Sequence, residues 1–342
     1  MKKILVIGPS WVGDSVMAQP LYHRLQQRYP SIELHVFTPP WTLPLLSRMP
    51  EVTRTHLNPF AHGALQLYPR WKVARQLARE RFNQAIVLPN SLKSALIPLF
   101  SGIPLRTGFV GEARYGFLND IRELDEKTLP TMAERFVSLA EEKTQRPPHP
   151  MSYPRLTVNQ ENQARLIQQH HLATDRAVIA FFPGAEYGPA KRWPVRHFAE
   201  LAKRFADAGF AVWLFGSSND QVIGEQIVAL SGERVVTLCG KTRLDDAIDL
   251  IGKTDLAICN DSGLMHVAAA LGKPLVALYG SSSPDFTPPL SDQTAIVTLG
   301  LDCSPCFERQ CPYSHTRCLE AMEPDQVWQA ATRLLHMDNA LS

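Results

Sequence analysis

With 342 residues, 45% of them apolar and 20% charged, the chain has the composition of a soluble globular enzyme and the length for two domains of roughly 150–180 residues each. Its 35 basic residues nearly cancel 33 acidic ones, leaving +2, so no global field draws it to nucleic acid, and an anionic partner must be met by local cationic clusters. No stretch approaches the ~18–20 uninterrupted apolar residues that span a bilayer.

Met1-Lys2-Lys3 followed by Ile4-Leu5-Val6-Ile7 has the outline of a secretion signal. The apolar run stops at Gly8-Pro9, short of the ~7–15 residues of a signal core, and no small-residue cleavage site follows. It reads as a first buried strand over residues 3–8, and the protein is expected to stay in the cytoplasm. Composition then predicts a helix over 15–28, a strand over 32–38, a helix over 71–81, a strand over 84–88 and a helix over 92–100. Strands that are continuously apolar and alternate with helices imply a parallel sheet covered on both faces. Arg146-Pro147-Pro148-His149-Pro150 cannot continue a helix and reads as a linker, dividing the chain into domains 1–150 and 151–342.

The second half repeats the alternation: strands over 177–182, 211–215, 235–239, 255–259 and 275–279, with helices between them and a closing helix over 324–337. Val195, Phe198, Leu201, Ala202 and Phe205 trace one amphipathic stripe, which Gly209 ends. The expected fold class is α/β, two Rossmann-like domains facing across a cleft. Open sheets of this kind bind ligands at the carboxyl ends of their strands, so the strand-end loops carry the functional reading.

The first such loop, Gly8-Pro9-Ser10-Trp11-Val12-Gly13-Asp14, is neither a Walker A loop nor a dinucleotide fingerprint. Asp14 has two readings, a helix cap or a general base. They compete, because a carboxylate committed to backbone amides is a weaker base. Pro20 interrupts the first turns in either case. Phe182-Pro183-Gly184-Ala185-Glu186 leads to Lys191-Arg192-Trp193-Pro194, where Lys191 is either a solvated surface cation or the neutraliser of a diphosphate leaving group. Asn260-Asp261-Ser262-Gly263-Leu264-Met265-His266 opens a helix whose free amides and dipole make an anion site, and Gly263 permits close backbone approach. Asp220, in Phe215-Gly216-Ser217-Ser218-Asn219-Asp220, suits ribose hydroxyls or a helix cap, and Thr242, after Cys239-Gly240-Lys241, suits the wall of a base pocket. Arg70, Lys72 and Arg75 concentrate charge in the first half. They are either a solvated face or a site for an anionic acceptor that Lys93, Arg106 and Arg114 extend.

These segments occur in this order and at this spacing in glycosyltransferase family 9, the lipopolysaccharide heptosyltransferases, and the chain resembles that family over nearly its whole length. The stretch from Asn90-Ser91-Leu92-Lys93 to Arg106-Thr107-Gly108, with the cysteines near the C-terminus, is similar to the heptosyltransferase II branch. The resemblance implies a GT-B fold and an inverting transfer of L-glycero-D-manno-heptose. The donor would be ADP-L-glycero-beta-D-manno-heptose and the acceptor heptosyl-Kdo2-lipid A, met through transient contact with the cytoplasmic face of the inner membrane. It further implies that Asp14 is the general base and that Lys191 contacts the donor phosphates. Asp220, Thr242, Asp261, Ser262, Gly263 and His266 would bind the donor; the family also uses glutamate at the position of Asp220 and often threonine at that of Ser262. Ser10, Gly13, Arg70, Lys72 and Lys93 are assigned to the acceptor. The first domain would hold the acceptor and the second the ADP-sugar, with the last helix packing back on the first domain. No cofactor, metal or nucleic acid enters the scheme. The rival reading is a nucleotide-sugar-binding or epimerase-like protein without transferase activity.

Six cysteines fit a reducing compartment, with Cys239 and Cys259 in strands. Cys303, Cys306, Cys311 and Cys318, with His315 among them, are enough ligands for zinc, but their compact spacing departs from paired Cys-x2-Cys sites and equally suits reduced thiols in a loop-rich region.

Overall fold

The computed structural model describes residues 2–61, 63–143, 145–232 and 235–338, and divides into two compact units, residues 1–154 and 155–342. The first unit holds β1 (Lys3–Ile7), β2 (Glu33–Thr38), β3 (Arg54–Leu57), β4 (Gln84–Val87), β5 (Leu105–Phe109) and β6 (Asp120–Arg122), all parallel, in the spatial order β3-β2-β1-β4-β5-β6. Val6 lies opposite Val36 on one side and Ile86 on the other. Ile4, Leu5 and Val6 are wholly buried because helices cover both faces of the sheet, which is why β1 is apolar without alternation. The expected helix over 15–28 is two helices, Val12–Met17 and Gln19–Arg28. Pro20 falls in the first turn of the second, where a missing N–H breaks no hydrogen bond.

The second unit holds β7 (Val178–Phe182), β8 (Ala211–Leu214), β9 (Val235–Thr237), β10 (Leu256–Asn260), β11 (Leu275–Leu278) and β12 (Thr294–Val297), again parallel, in the order β12-β11-β10-β7-β8-β9. Counted along its own chain, this is the winding of the first unit repeated. Helix Val195–Asp207 buries Phe198, Leu201, Ala202 and Phe205 in one core with Phe181, Val212 and Leu214. Each large side chain so buried contributes roughly 1.5–3 kcal/mol. The chain then turns at Gly209, whose φ of +95° a residue with a Cβ rarely adopts. The closing helix Pro324–Asp338 places Val327 and Ala331 in this same core, so its apolar face is spent on the sheet of its own unit.

Candidate active site

Each sheet reverses its winding once, between β1 and β4 in the first unit and between β7 and β10 in the second. Ligands of open α/β sheets collect at these points. The loop with Asp14 follows β1, the loop with Lys191 follows β7, and Asp261 follows β10.

In the second unit, Lys191 closes a 3-10 turn, Pro189–Lys191, and its Nζ donates to Asp261 Oδ2 at 2.5 Å. Both side chains are largely shielded, 17% and 5% exposed. Asn260, fully buried at the end of β10, holds the loops in register. Its Oδ1 accepts from the Trp193 backbone N–H at 3.0 Å, while its Nδ2 donates to the Pro183 carbonyl at 2.8 Å. Trp193 is pinned further by its indole N–H, which donates to the Met322 carbonyl. Helix Gly263–Ala270 starts beside this pair. Its cap residue Ser262 makes no side-chain cap bond and its buried Oγ has no partner among the described residues, so the first amides face the ion pair uncapped by that hydroxyl. Burial lowers the His266 imidazole to about 4, against a smaller opposing pull from Asp261, so the ring is neutral near pH 7 and can both donate and accept.

Asp220 is turned inward. It is 7% exposed, its Oδ2 accepts from the Ser217 backbone N–H and hydroxyl at 2.9 Å each, and its carboxylate fills the space where a Cβ on Gly184 would sit. It thereby closes a capping box over the 3-10 turn Ser218–Asp220, makes no side-chain cap bond to the helix that follows, and keeps a buried Oδ1 with no partner among the described residues. Thr242 is half-buried and its hydroxyl donates to the Leu238 carbonyl at 3.4 Å.

In the first unit, Asp14 is half-buried at the third position of helix Val12–Met17, whose cap position is Trp11, so it is not the N-cap residue. Gly13 is buried in the same turn, and the Ser10 carbonyl accepts from the Trp41 indole N–H at 2.7 Å. Three arginines of the expected acceptor surface turn out to build the fold. Arg70 is 6% exposed, donates to the carbonyls of Leu65 and Ala64 at 2.7 and 3.2 Å, and lies 4.2 Å over the Phe60 ring. Arg114 is 2% exposed and donates to the carbonyls of Pro89 and Phe109, and Arg106 donates to those of Phe117 and Ile103. Guanidinium forks suit loop carbonyls well, and in Arg70 and Arg114 the price of that fit is that they no longer face solvent, while Arg106 stays half-buried. Lys72 is exposed on helix Leu67–Leu77, and Lys93 is half-buried in the first turn of helix Leu92–Phe100.

A family model, Glycosyltransferase family 9 (heptosyltransferase), matches residues 70–317. The chain belongs to glycosyltransferase family 9. It is 47% identical to Lipopolysaccharide heptosyltransferase 2 of Escherichia coli K12, over 99% of this chain and all of that one. With Lipooligosaccharide heptosyltransferase 2 of Haemophilus influenzae it shares 47% over 86% of this chain and 88% of that one. Among solved structures, E. coli ADP-heptose lps heptosyltransferase II superposes with a TM-score of 0.90 and 45% identity, over 99% of this chain and all of that one. A family 9 glycosyltransferase from Veillonella parvula, 22% identical, shares the fold with a TM-score of 0.85 over 98% of this chain and 97% of that one. The chain is thus a GT-B glycosyltransferase of the heptosyltransferase family.

Two features of this family 9 site were not read from the sequence. Ser281 and Ser282 follow β11, adjacent to β10; they are 2% and 6% exposed, and neither hydroxyl has a partner among the described residues. Three serines in a row at a strand end are the signal that was available. The second feature is the loop carrying the cysteines, which braces the site: the Phe307 N–H donates to the Ser281 carbonyl at 2.6 Å, the Tyr187 hydroxyl to the Phe307 carbonyl at 2.8 Å, and the Ala190 N–H to the Arg309 carbonyl at 3.1 Å. Cys303, Cys306, Cys311 and Cys318 are half-buried free thiols. Backbone N–H groups, that of Thr316 foremost, lower the Cys311 thiol, whereas burial raises Cys318. Among the described residues no group of three or more His, Cys, Asp or Glu side chains is arranged to hold a metal ion.

Proposed function

We propose that this enzyme transfers L-glycero-D-manno-heptose from ADP-L-glycero-beta-D-manno-heptose to the first heptose of heptosyl-Kdo2-lipid A, with inversion at the anomeric carbon. The observation that carries the reading is the shielded Lys191–Asp261 pair beside an open helix N-terminus, with the unpartnered hydroxyls of Ser262, Ser281 and Ser282 on neighbouring strand ends. A diphosphate arriving there meets a cation, free amides and hydroxyl donors at once. Asp261 holds Lys191 in place until the donor competes for it. His266, neutral, and Gly263, without a side chain, complete the donor contacts.

In the transfer step the acceptor hydroxyl oxygen bonds to the anomeric carbon as the bond to the β-phosphate oxygen breaks. The proton passes to Asp14 and the electron pair leaves with ADP, whose charge Lys191 and the helix amides neutralise. The first domain takes the acceptor, through Ser10, Gly13, Lys72 and Lys93, and the second takes the donor, with Thr242 lining the base. The acceptor is lipid-linked, so the enzyme works in the cytoplasm against the inner membrane.

The test is to incubate the protein with ADP-heptose and heptosyl-Kdo2-lipid A, following ADP release and a mass gain of one heptose. Asp14→Ala lowers turnover by ~10²–10⁴. ADP release without a heptosylated product, or near-normal turnover by that variant, refutes the transfer or the role of its base.

A further inference from the structure

Between Glu51 and Glu80 the sequence has no acidic residue and five cationic ones: Arg54, Arg70, Lys72, Arg75 and Arg79. The structure sorts them. Arg54 pairs with Glu80 at 3.0 Å and Arg70 is buried, while Lys72, Arg75 and Arg79 are exposed and have no ion-pair partner among the described residues. The same segment carries four exposed large apolar side chains within seven residues: Leu65, Leu67, Tyr68 and Trp71, which are 47%, 51%, 71% and 48% exposed.

Helix Leu67–Leu77 buries Arg70, Ala74 and Leu77, so at ~100° per residue its outward face is the line of Tyr68, Lys72, Arg75 and, one turn on, Arg79. Trp71 flanks that line, with its ring stacked on Tyr68 at 6.1 Å between centroids. Large rings among unpaired cations are costly to leave in water. They match a bilayer surface, where indole and phenol rings settle at headgroup level and lysine or arginine stems snorkel toward phosphates. A crossover helix runs antiparallel to the strands it connects, so its N-terminal turn, with Leu67, Tyr68 and Trp71, lies at the end of the sheet where β1 delivers the loop of Asp14.

We propose that this face, Leu65 to Arg79, is the surface by which the enzyme docks on an anionic lipid bilayer, bringing the catalytic end of its first domain to a lipid-anchored acceptor. The inference rests on the lipid-linked acceptor of the preceding reading and names the surface that meets the lipid. A second copy of the chain is a poor occupant, because it would set three unpaired cations against three more. An anionic bilayer supplies the countercharge and the apolar layer together.

The experiment uses the full-length chain with vesicles of phosphatidylcholine alone and of phosphatidylcholine with 30% (about one lipid in three) phosphatidylglycerol. The variants are Arg75→Gln/Arg79→Gln and Tyr68→Ser/Trp71→Ser, both leaving Lys72 in place. The wild type sediments with the anionic vesicles and not with the neutral ones, and salt releases it. The charge variant partitions roughly 30-fold more weakly and the aromatic variant on the order of tenfold more weakly. Both keep wild-type thermal midpoints and wild-type transfer to a deacylated, water-soluble acceptor. Equal sedimentation of wild type and variants, no preference for anionic vesicles, or a dimer that Tyr68→Ser/Trp71→Ser dissociates would overturn the proposal. If the wild type transfers nothing to the soluble acceptor, the proposed reaction fails on its own account, whatever the vesicles show.

Discussion

Asn260 offers a direct trial of how the donor loops are held. Its carboxamide is fully buried and ties both ends of the loop between β7 and helix Val195–Asp207 to the end of β10, accepting from the Trp193 N–H and donating to the Pro183 carbonyl. Asn260→Ala leaves one backbone donor and one acceptor without partners in a dry interior. Each such group costs about 1–3 kcal/mol, so the variant should lose about 2–6 kcal/mol. For a domain of this size that corresponds to a midpoint lower by roughly 5–15 °C. The functional effect is separate. Trp193 lies two residues from Lys191, so a loosened Trp193 lets the ammonium drift from its position 2.5 Å from Asp261. At a temperature where the variant is folded, KM for the donor should rise and affinity for free ADP should fall, while KM for the acceptor stays put. Asn260→Asp is the sharper control, since it can still accept from Trp193 but sets a buried carboxylate against the Pro183 carbonyl. Chemical denaturation and isothermal titration with ADP provide the two readouts. An Asn260→Ala protein within ~0.5 kcal/mol of wild type and with unchanged ADP affinity would refute the account of a loop tied at both ends to β10.

Three further outcomes follow from the site and its supports. Since the His266 imidazole is held at about 4 when folded against an ordinary value of about 6.5, the unfolded chain takes up a proton that the native one refuses. Stability is full above pH 6.5 and falls by ~3 kcal/mol as the pH drops through that window toward 4. The urea midpoint of His266→Gln should fall less between those limits than that of the wild type, and an equal slope in both tells against a neutral buried ring. Arg70→Ala should destabilise the first unit by roughly 2–4 kcal/mol, and Arg70→Lys should restore little of it, because a point charge cannot serve the Leu65 and Ala64 carbonyls together. Hydrogen exchange over residues 63–70 is the readout, and full rescue by lysine would argue against the fork. In Gly188→Ala the new Cβ would stand 2.4 Å from the Arg309 carbonyl oxygen, so the cysteine loop must shift; ~1–3 kcal/mol of stability and a raised donor KM are expected, and neutrality in both would mean the loop does not brace the site.

The parallel, helix-covered character of both sheets was legible because their central strands are apolar without alternation. Ile4 to Ile7, Val178 to Phe182 and Leu256 to Asn260 bury every side chain. The edges were not. β3 carries Arg54 and His56 and is half-exposed, β6 has three residues, and β12 is partly exposed, so none has a periodicity to read. Helix Met132–Ser138 went unread although Thr131 and Glu134 form a capping box, whose T-x-x-E spelling was there to be used. At the site, the strand-end loops with Lys191, Asp261 and Ser262 came directly from the sequence, since residue type and position at a strand terminus are local facts. Whether an arginine faces outward is not local. Arg70, Arg106 and Arg114 looked like a cationic surface, and only the three-dimensional path of the loops shows that their forks answer backbone carbonyls.

The closing helix has a consequence for the order in which the molecule is made. Val327 and Ala331 belong to the core on which β10 and β11 rest, and the indole of Trp193 hangs from the carbonyl of Met322. While the ribosome is still adding these last residues, every strand of both sheets has been made, but the lysine loop of the rear half lacks its anchor at Met322. A chain released before Met322 would therefore carry all the donor-binding loops but lack the indole anchor and the packing of the closing helix beneath them.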